Sequence, residues 1–295
     1  MGAPIFDTSV DFPARALRPF INQYAGFRVS GQAPSLHFGL PSSNVNLIIS
    51  LSGPIDLVQM PNSVQRPSPL AALVSGLHDV PAVVRQSSDT FGLHVFIKPL
   101  GVRAVLGVGG AEISSRVVNL TDIWGKRAED LIGMLRAADT WQKRFEILDR
   151  TFTSALISTG WPTEISWAWD RLANTHGALP IQQLADEIGY SRRHFSEQFR
   201  DATGLAPKSA SRVFRFERAC RLFMSRHIGL AEVAAACGYY DQAHLTREWH
   251  ALAGCSPKAW IARDLPFLQD YEIGGHDNDS DGQESARQSF VRPPA

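Results

Sequence analysis

The chain has 295 residues, 44% of them apolar, and its 29 basic side chains balance 29 acidic ones. That length suits two domains better than one, and the apolar fraction excludes a wholly disordered polymer. The neutral total excludes polyanion or membrane binding through bulk charge and leaves only a local excess able to do it.

The first twenty residues carry no basic run followed by an apolar stretch, so no secretory signal is expected. No window approaches the eighteen or so apolar residues of a membrane span. Cys220, Cys237 and Cys255 lie far apart without C-x-x-C spacing. Such a set predicts reduced thiols in the core, a cytoplasmic location and no structural zinc.

From about residue 20 to 120 short apolar runs such as Val45–Ile49 and Leu93–Ile97 are interrupted by Pro41, Gly53-Pro54, Pro61, Pro67, Pro99 and Gly101. Short strands between turn signals predict a β-sandwich or barrel. From about 126 to 158 the period becomes helical. Trp141, Phe145, Leu148, Phe152 and Leu156 form one stripe, and an earlier helix carries Leu131, Ile132 and Leu135. The stripe reads first as core and second as a dimer interface. Ser158-Thr159-Gly160-Trp161-Pro162 then breaks the pattern as a domain boundary.

The expected fold is therefore α+β. A β-rich domain with a helical pair occupies 14–158, and an all-α domain occupies 163–265. The polar tail at 273–295 is expected to be disordered.

The all-α region contains a repeat. Leu184-Ala185-Asp186-Glu187-Ile188-Gly189-Tyr190 is matched by Val233-Ala234-Ala235-Ala236-Cys237-Gly238-Tyr239, and Gly204-Leu205-Ala206-Pro207-Lys208 by Gly254-Cys255-Ser256-Pro257-Lys258. The offset is 49 before the turn and 50 after it, with one residue added in the second turn. This is an internal duplication. Ala185 and Ala234 are small where helices approach. Gly189 and Gly238 fit the left-handed position after a helix, and Ser191 and Asp241 fit N-caps. Phe195 and Phe199, or Leu245 and Trp249, pin a second helix by its apolar face. Each unit, 181–202 and 230–252, reads as a helix-turn-helix whose second helix can enter a major groove. Pro207 to Met224 reads as one long connecting helix that fixes the distance between the two units. Two heads on one face of DNA need a separation of roughly 34 Å.

Twelve basic residues stand against six acidic ones between 189 and 263, the local excess that phosphate contacts require. Arg212, Arg215 and Arg218 on the connector are left open between a solvated face and DNA.

These residues resemble the AraC/XylS family of bacterial regulators, most specifically from Gly238-Tyr-Tyr-Asp-Gln-Ala-His-Leu-Thr-Arg-Glu-Trp through Ser256-Pro257-Lys258. The resemblance covers 163–265. It implies a tandem helix-turn-helix DNA-binding domain reading two consecutive major-groove segments of double-stranded DNA, with RNA polymerase as a partner. It also implies an N-terminal domain, a cupin-like barrel, that senses a small-molecule effector or mediates homodimerisation. Carried over by position, Arg193, Ser196 and Glu197 face bases in the first unit, and Gln242, Ala243, His244, Thr246 and Arg247 in the second. Arginine suits guanine, glutamine suits adenine, and an alanine or threonine methyl suits thymine. Arg192, Arg200 and Lys208 are the phosphate candidates. Glu197 departs from relatives that are basic there; its carboxylate can accept from cytosine N4 but repels phosphate.

No G-x-S-x-G, Gly-rich phosphate loop or H-E-x-x-H occurs, so no catalytic residue is assigned. His37, His78 and His94 are scattered and read as ordinary polar or core residues, with no metal or cofactor expected. The competing reading is a cupin-like enzyme or metal-binding barrel fused to a DNA-targeting domain. The form in which relatives are fused to DNA-repair alkyl transferases fails, because no cysteine lies in the N-terminal half.

Overall fold

The β-branched runs of the first third pair as strands in a computed structural model that describes residues 5–157, 163–226 and 228–262. The strands are β1 (Ile5–Asp11), β2 (Ile21–Ser30), β3 (Ser35–Gly39), β4 (Val45–Ser50), β5 (Asp56–Gln59), β6 (Ala72–Ser75), β7 (Ala82–Gln86), β8 (Thr90–Ile97) and β9 (Val117–Asn119). Six form an antiparallel sheet in the order β1-β2-β8-β4-β6-β9, and three form a second sheet in the order β3-β7-β5.

Side chains alternate across a strand, and β8 shows what that achieves here. Leu93, Val95 and Ile97 join the main core under the helices, while His94 and Phe96 occupy the opposite face. On the helical side lie α1 (Val102–Leu106), α2 (Leu120–Trp124), α3 (Lys126–Ala137) and α4 (Trp141–Ala155). The stripe of α4 faces the sheet: Phe145 and Phe152 stack on Tyr24, and Trp141 meets Phe91 edge-on at 5.4 Å. It is therefore core within one chain, the first of its two readings.

The N-terminal domain reaches further back than residue 14, because β1 pairs with β2 from Ile5↔Ser30 to Asp11↔Tyr24. Its sequence gave no signal because the strand is an edge with mostly exposed side chains. The expected boundary at Ser158–Pro162 and the tail at 273–295 lie outside the described residues.

The remaining described elements are helices: α5 (Thr163–Asn174), α6 (Ile181–Glu187), α7 (Arg192–Thr203), α8 (Pro207–Arg226), α9 (Leu230–Ala236), α10 (Gln242–Ala253) and α11 (Pro257–Ala262). The core of the first helix pair, with Leu184, Phe195 and Phe199, is continuous with that of the N-terminal domain. The second pair has its own core around Phe216, Leu245 and Trp249, into which Leu40 of the N-terminal domain inserts. The fold is thus α+β, a two-sheet β-rich domain with flanking helices followed by an all-α region. Among the described residues no helix is long and apolar enough to cross a membrane.

Candidate nucleic-acid interface

The duplication is reproduced bond by bond. Ala185 and Ala234 are buried, and their carbonyls receive the N–H of Tyr190 and Tyr239, each at 2.9 Å. Gly189 and Gly238 follow with φ of 74° and 72°, the left-handed turn that only glycine enters freely. Ser191 Oγ then accepts the N–H of His194 and Asp241 Oδ1 that of His244, so both caps act as their residue types require. Phe195 and Phe199, or Leu245 and Trp249, are fully buried and seat α7 and α10 on the units below.

Seating one face inward turns the other outward. On α7, Arg192, Arg193, Glu197 and Arg200 are exposed and Ser196 half-buried. On α10, Gln242, Ala243 and Arg247 are exposed and Thr246 half-buried. Lys208 is exposed in the first turn of α8. Each helix therefore gathers the residues expected to read bases on its outer surface.

Three details modify that picture. Arg193 Nε and Glu197 Oε1 form an ion pair at 2.9 Å across one turn, so two expected base readers satisfy each other in the first unit. Ser196 and Thr246 bond back to the carbonyls of Arg192 and Gln242, which leaves the threonine methyl as its apolar offering. His244 is turned toward its own turn: Nδ1 accepts the backbone N–H of Tyr240 at 3.3 Å, and the ring meets Tyr239 edge-on. It buttresses the reading helix more than it extends from it.

Sequence reasoning passed over Tyr240. It is the residue added in the second turn, directly before the cap Asp241, and it is 93% exposed. Its exposed ring stands at the start of α10, beside the outward residues of that helix. The one-residue insertion was the signal for it.

Of the connector arginines, Arg212, Arg215 and Arg221 are engaged inside the molecule. Arg212 pairs with Glu248 of α10 at 2.9 Å and with Asp79 at 3.5 Å, and Asp79 also accepts from Ser209. Arg215 lies over Tyr239, and Arg221 Nη2 is 3.3 Å from His176 Nδ1. Part of the cationic excess therefore binds the domains together. The three cysteines are buried, and burial pushes the Cys237 thiol up to about 11.

A separate cavity of about 480 Å³ lies between the two sheets. Phe27, Val29, Ile48 and Val84 give it apolar walls, and Arg85 pairs with Asp56 at 3.0 Å on the rim. His94 lines it and shares a 3.0 Å hydrogen bond with Asn46; burial pushes its pKa down to about 3, so it is neutral near pH 7. Burial likewise brings His78 down to about 4. Among the described residues no group of three or more His, Cys, Asp or Glu is placed to hold a metal ion.

Residues 184–263 match the family HTH_18, described as a helix-turn-helix domain. The MmsAB operon regulatory protein of Pseudomonas aeruginosa is 31% identical over 88 residues, 30% of this chain and 29% of that protein. The chain thus spans less than a third of the length of that curated relative. Among solved structures, ToxT of Vibrio cholerae is similar over 89% of this chain and 99% of its own, at 10% identity and a TM-score of 0.46. The DNA-binding domain of the transcriptional factor AdpA, solved with a target DNA, is 31% identical over 34% of this chain and 88% of its own, with a TM-score of 0.30.

Proposed function

We infer, from a C-terminal region that is an AraC-type helix-turn-helix domain, that this DNA-binding transcription regulator reads a two-part operator under the control of a small molecule held between its β-sheets. The observation carrying the first half is the duplication: two helices with side-chain caps at the same position, buried anchors at the same spacing and outward polar faces. The connector α8 has 20 residues and packs against the second reading helix, Arg212 pairing with Glu248 and Phe216 meeting Trp249, so it holds the two units in a fixed relation.

Arg193, Ser196 and Glu197 read bases in the first segment, and Gln242, Ala243, Thr246 and Arg247 in the second, with His244 shaping the turn behind them. Arg192, Arg200 and Lys208 contact phosphate. Size and lining support the 480 Å³ cavity as the effector site: apolar walls with few polar groups are what a small-molecule pocket needs. RNA polymerase as a partner and a homodimeric assembly enter this reading through the AraC resemblance alone.

The test is selection of bound duplexes from a random library by the full chain at two salt concentrations. Paired motifs about one helical turn apart are expected, and Gln242→Ala with Arg247→Ala should abolish selection of one half of the pair. A single motif, or enrichment indifferent to those substitutions, overturns the two-headed reading. Filling the cavity with Val84→Trp should remove any effector response and leave DNA binding without effector intact.

A further inference from the structure

The charged residues lining the cavity between the sheets are Arg85, Asp56 and Asp89, and each is at least partly exposed. All three are already engaged. Arg85 holds Asp56 at 3.0 Å, while the Asp89 carboxylate accepts the Gly31 N–H at 3.3 Å and the Ser88 hydroxyl at 2.8 Å. Among the described residues the lining has no other lysine or arginine. A bound anion would therefore meet one cation, already paired, and two carboxylates. Carried further in, among Phe27, Val29, Ile48 and Val84, any charge would lose its water and gain no partner.

The most deeply buried titratable group in the lining is His94, 2% exposed, on β8 opposite Ile48 of β4. Its Nε2 lies 3.0 Å from Asn46 Oδ1. An amide oxygen only accepts, so Nε2 carries the proton and Nδ1 keeps a lone pair. Burial holds the ring neutral near pH 7, with its pKa down at about 3. His94 thus has an acceptor to offer and no second donor. A carboxylate or a ketone would bring lone pair against lone pair. An ammonium could donate, but its charge would be buried away from the carboxylates at the exposed rim. A hydroxyl donates and carries no charge. A sugar carries many hydroxyls, most of which would face apolar walls without a partner.

We propose that this cavity takes an uncharged, mainly apolar alcohol, its hydroxyl donating to His94 Nδ1 and its hydrocarbon part lying against Phe27, Val29, Ile48 and Val84. The assignment rests on the reading of this cavity as a small-molecule site and adds to it the class of ligand.

The test is calorimetric titration of the full chain at pH 7 with 1-octanol, 1-decanol and 2-naphthalenemethanol. Each is run beside the carboxylate, the amine and the methyl ether of the same skeleton. At least one alcohol should bind, with its three analogues at least tenfold weaker, and Val84→Trp should abolish that binding. The wild-type comparisons hold whether or not that variant folds. A carboxylate or amine that binds as tightly as its alcohol overturns the proposal, and if Val84→Trp abolishes that binding the cavity still stands as the small-molecule site. An ether as tight as its alcohol removes the bond to His94 and overturns it too. So does the absence of binding by all three alcohols, or alcohol binding that survives in a folded Val84→Trp. An alcohol that binds as expected but leaves the affinity for DNA unchanged would support this ligand class and remove the effector role from the cavity.

Discussion

Glu217 of the connector helix accepts the backbone N–H of Ser43 at 2.7 Å, joining the DNA-binding half to the N-terminal half through a carboxylate that is itself buried. Burial raises the carboxyl pKa, against the opposing effects of the Ser43 bond and of Arg221. A raised folded-state pKa means that the fold favours the protonated form. Its contribution is complete below the ordinary carboxyl range and is lost as pH rises through the folded value. Glu217→Gln keeps the acceptor and removes the titration. The melting temperature of that variant relative to wild type should climb between pH 5 and pH 8. A difference that stays level across this range would show that the buried carboxylate ionises without penalty.

Gly204 and Gly189 both have left-handed backbones, with φ of 89° and 74°. Alanine at either costs about 1–2 kcal/mol for that conformation alone. At Gly189 a Cβ would find open space, but at Gly204 it would collide with the Gly110 carbonyl and press toward Ser114. Gly204→Ala should therefore melt below Gly189→Ala, and it should expose the domain boundary to limited proteolysis. Equal melting temperatures would mean that the contact between halves yields at no cost.

The Arg193–Glu197 pair predicts an unusual gain of function. Glu197→Gln removes a negative charge from the reading face and releases an arginine. Binding to duplex DNA should tighten severalfold at low salt, and the dependence of log K on log salt should steepen because the carboxylate no longer repels the phosphates flanking the bases it faces. Filter binding across a salt series reads both. An unchanged slope would place this pair away from the phosphates.

Tyr240 has almost no protein contact to lose. Tyr240→Ala should leave the melting temperature within about 1 °C of wild type, since exposed substitutions change stability little. If the side chain lies on DNA, affinity should fall about fivefold to tenfold, roughly 1 kcal/mol. Tyr240→Phe separates the ring from the hydroxyl. Full affinity in the alanine variant would remove Tyr240 from the interface.

The duplicated half was the most legible part of the sequence because its signals are local. A cap, a left-handed glycine and a pair of aromatics four apart each act within a few residues, and two copies tested one another. The fate of the connector arginines was not legible. Arg212 meets Asp79, more than a hundred residues away, and nothing in a helical charge pattern distinguishes a solvated arginine from one facing another domain. The Arg193–Glu197 pair was visible in its i, i+4 spacing, yet the resemblance drew both residues toward bases instead of toward each other. Strand β1 lacked a signal for the opposite reason: an exposed edge strand has no buried face to impose alternation. The cleft between the halves, lined among others by Lys98, Asp170, Glu217 and Arg221, was invisible because these residues are brought together only by the docking of the halves.

The unbroken helix between the reading units has a consequence for how such a chain can change over generations. An α-helix turns by about 100° per residue, so under the two-headed reading proposed above, inserting or deleting a single residue in α8 would rotate one head away from the DNA face that the other reads. Point substitutions on α7 or α10 can exchange one preferred base for another and keep the frame. Length changes in α8 cannot, except near whole turns. Operators for descendants of this protein should therefore drift in letters and stay fixed in phase.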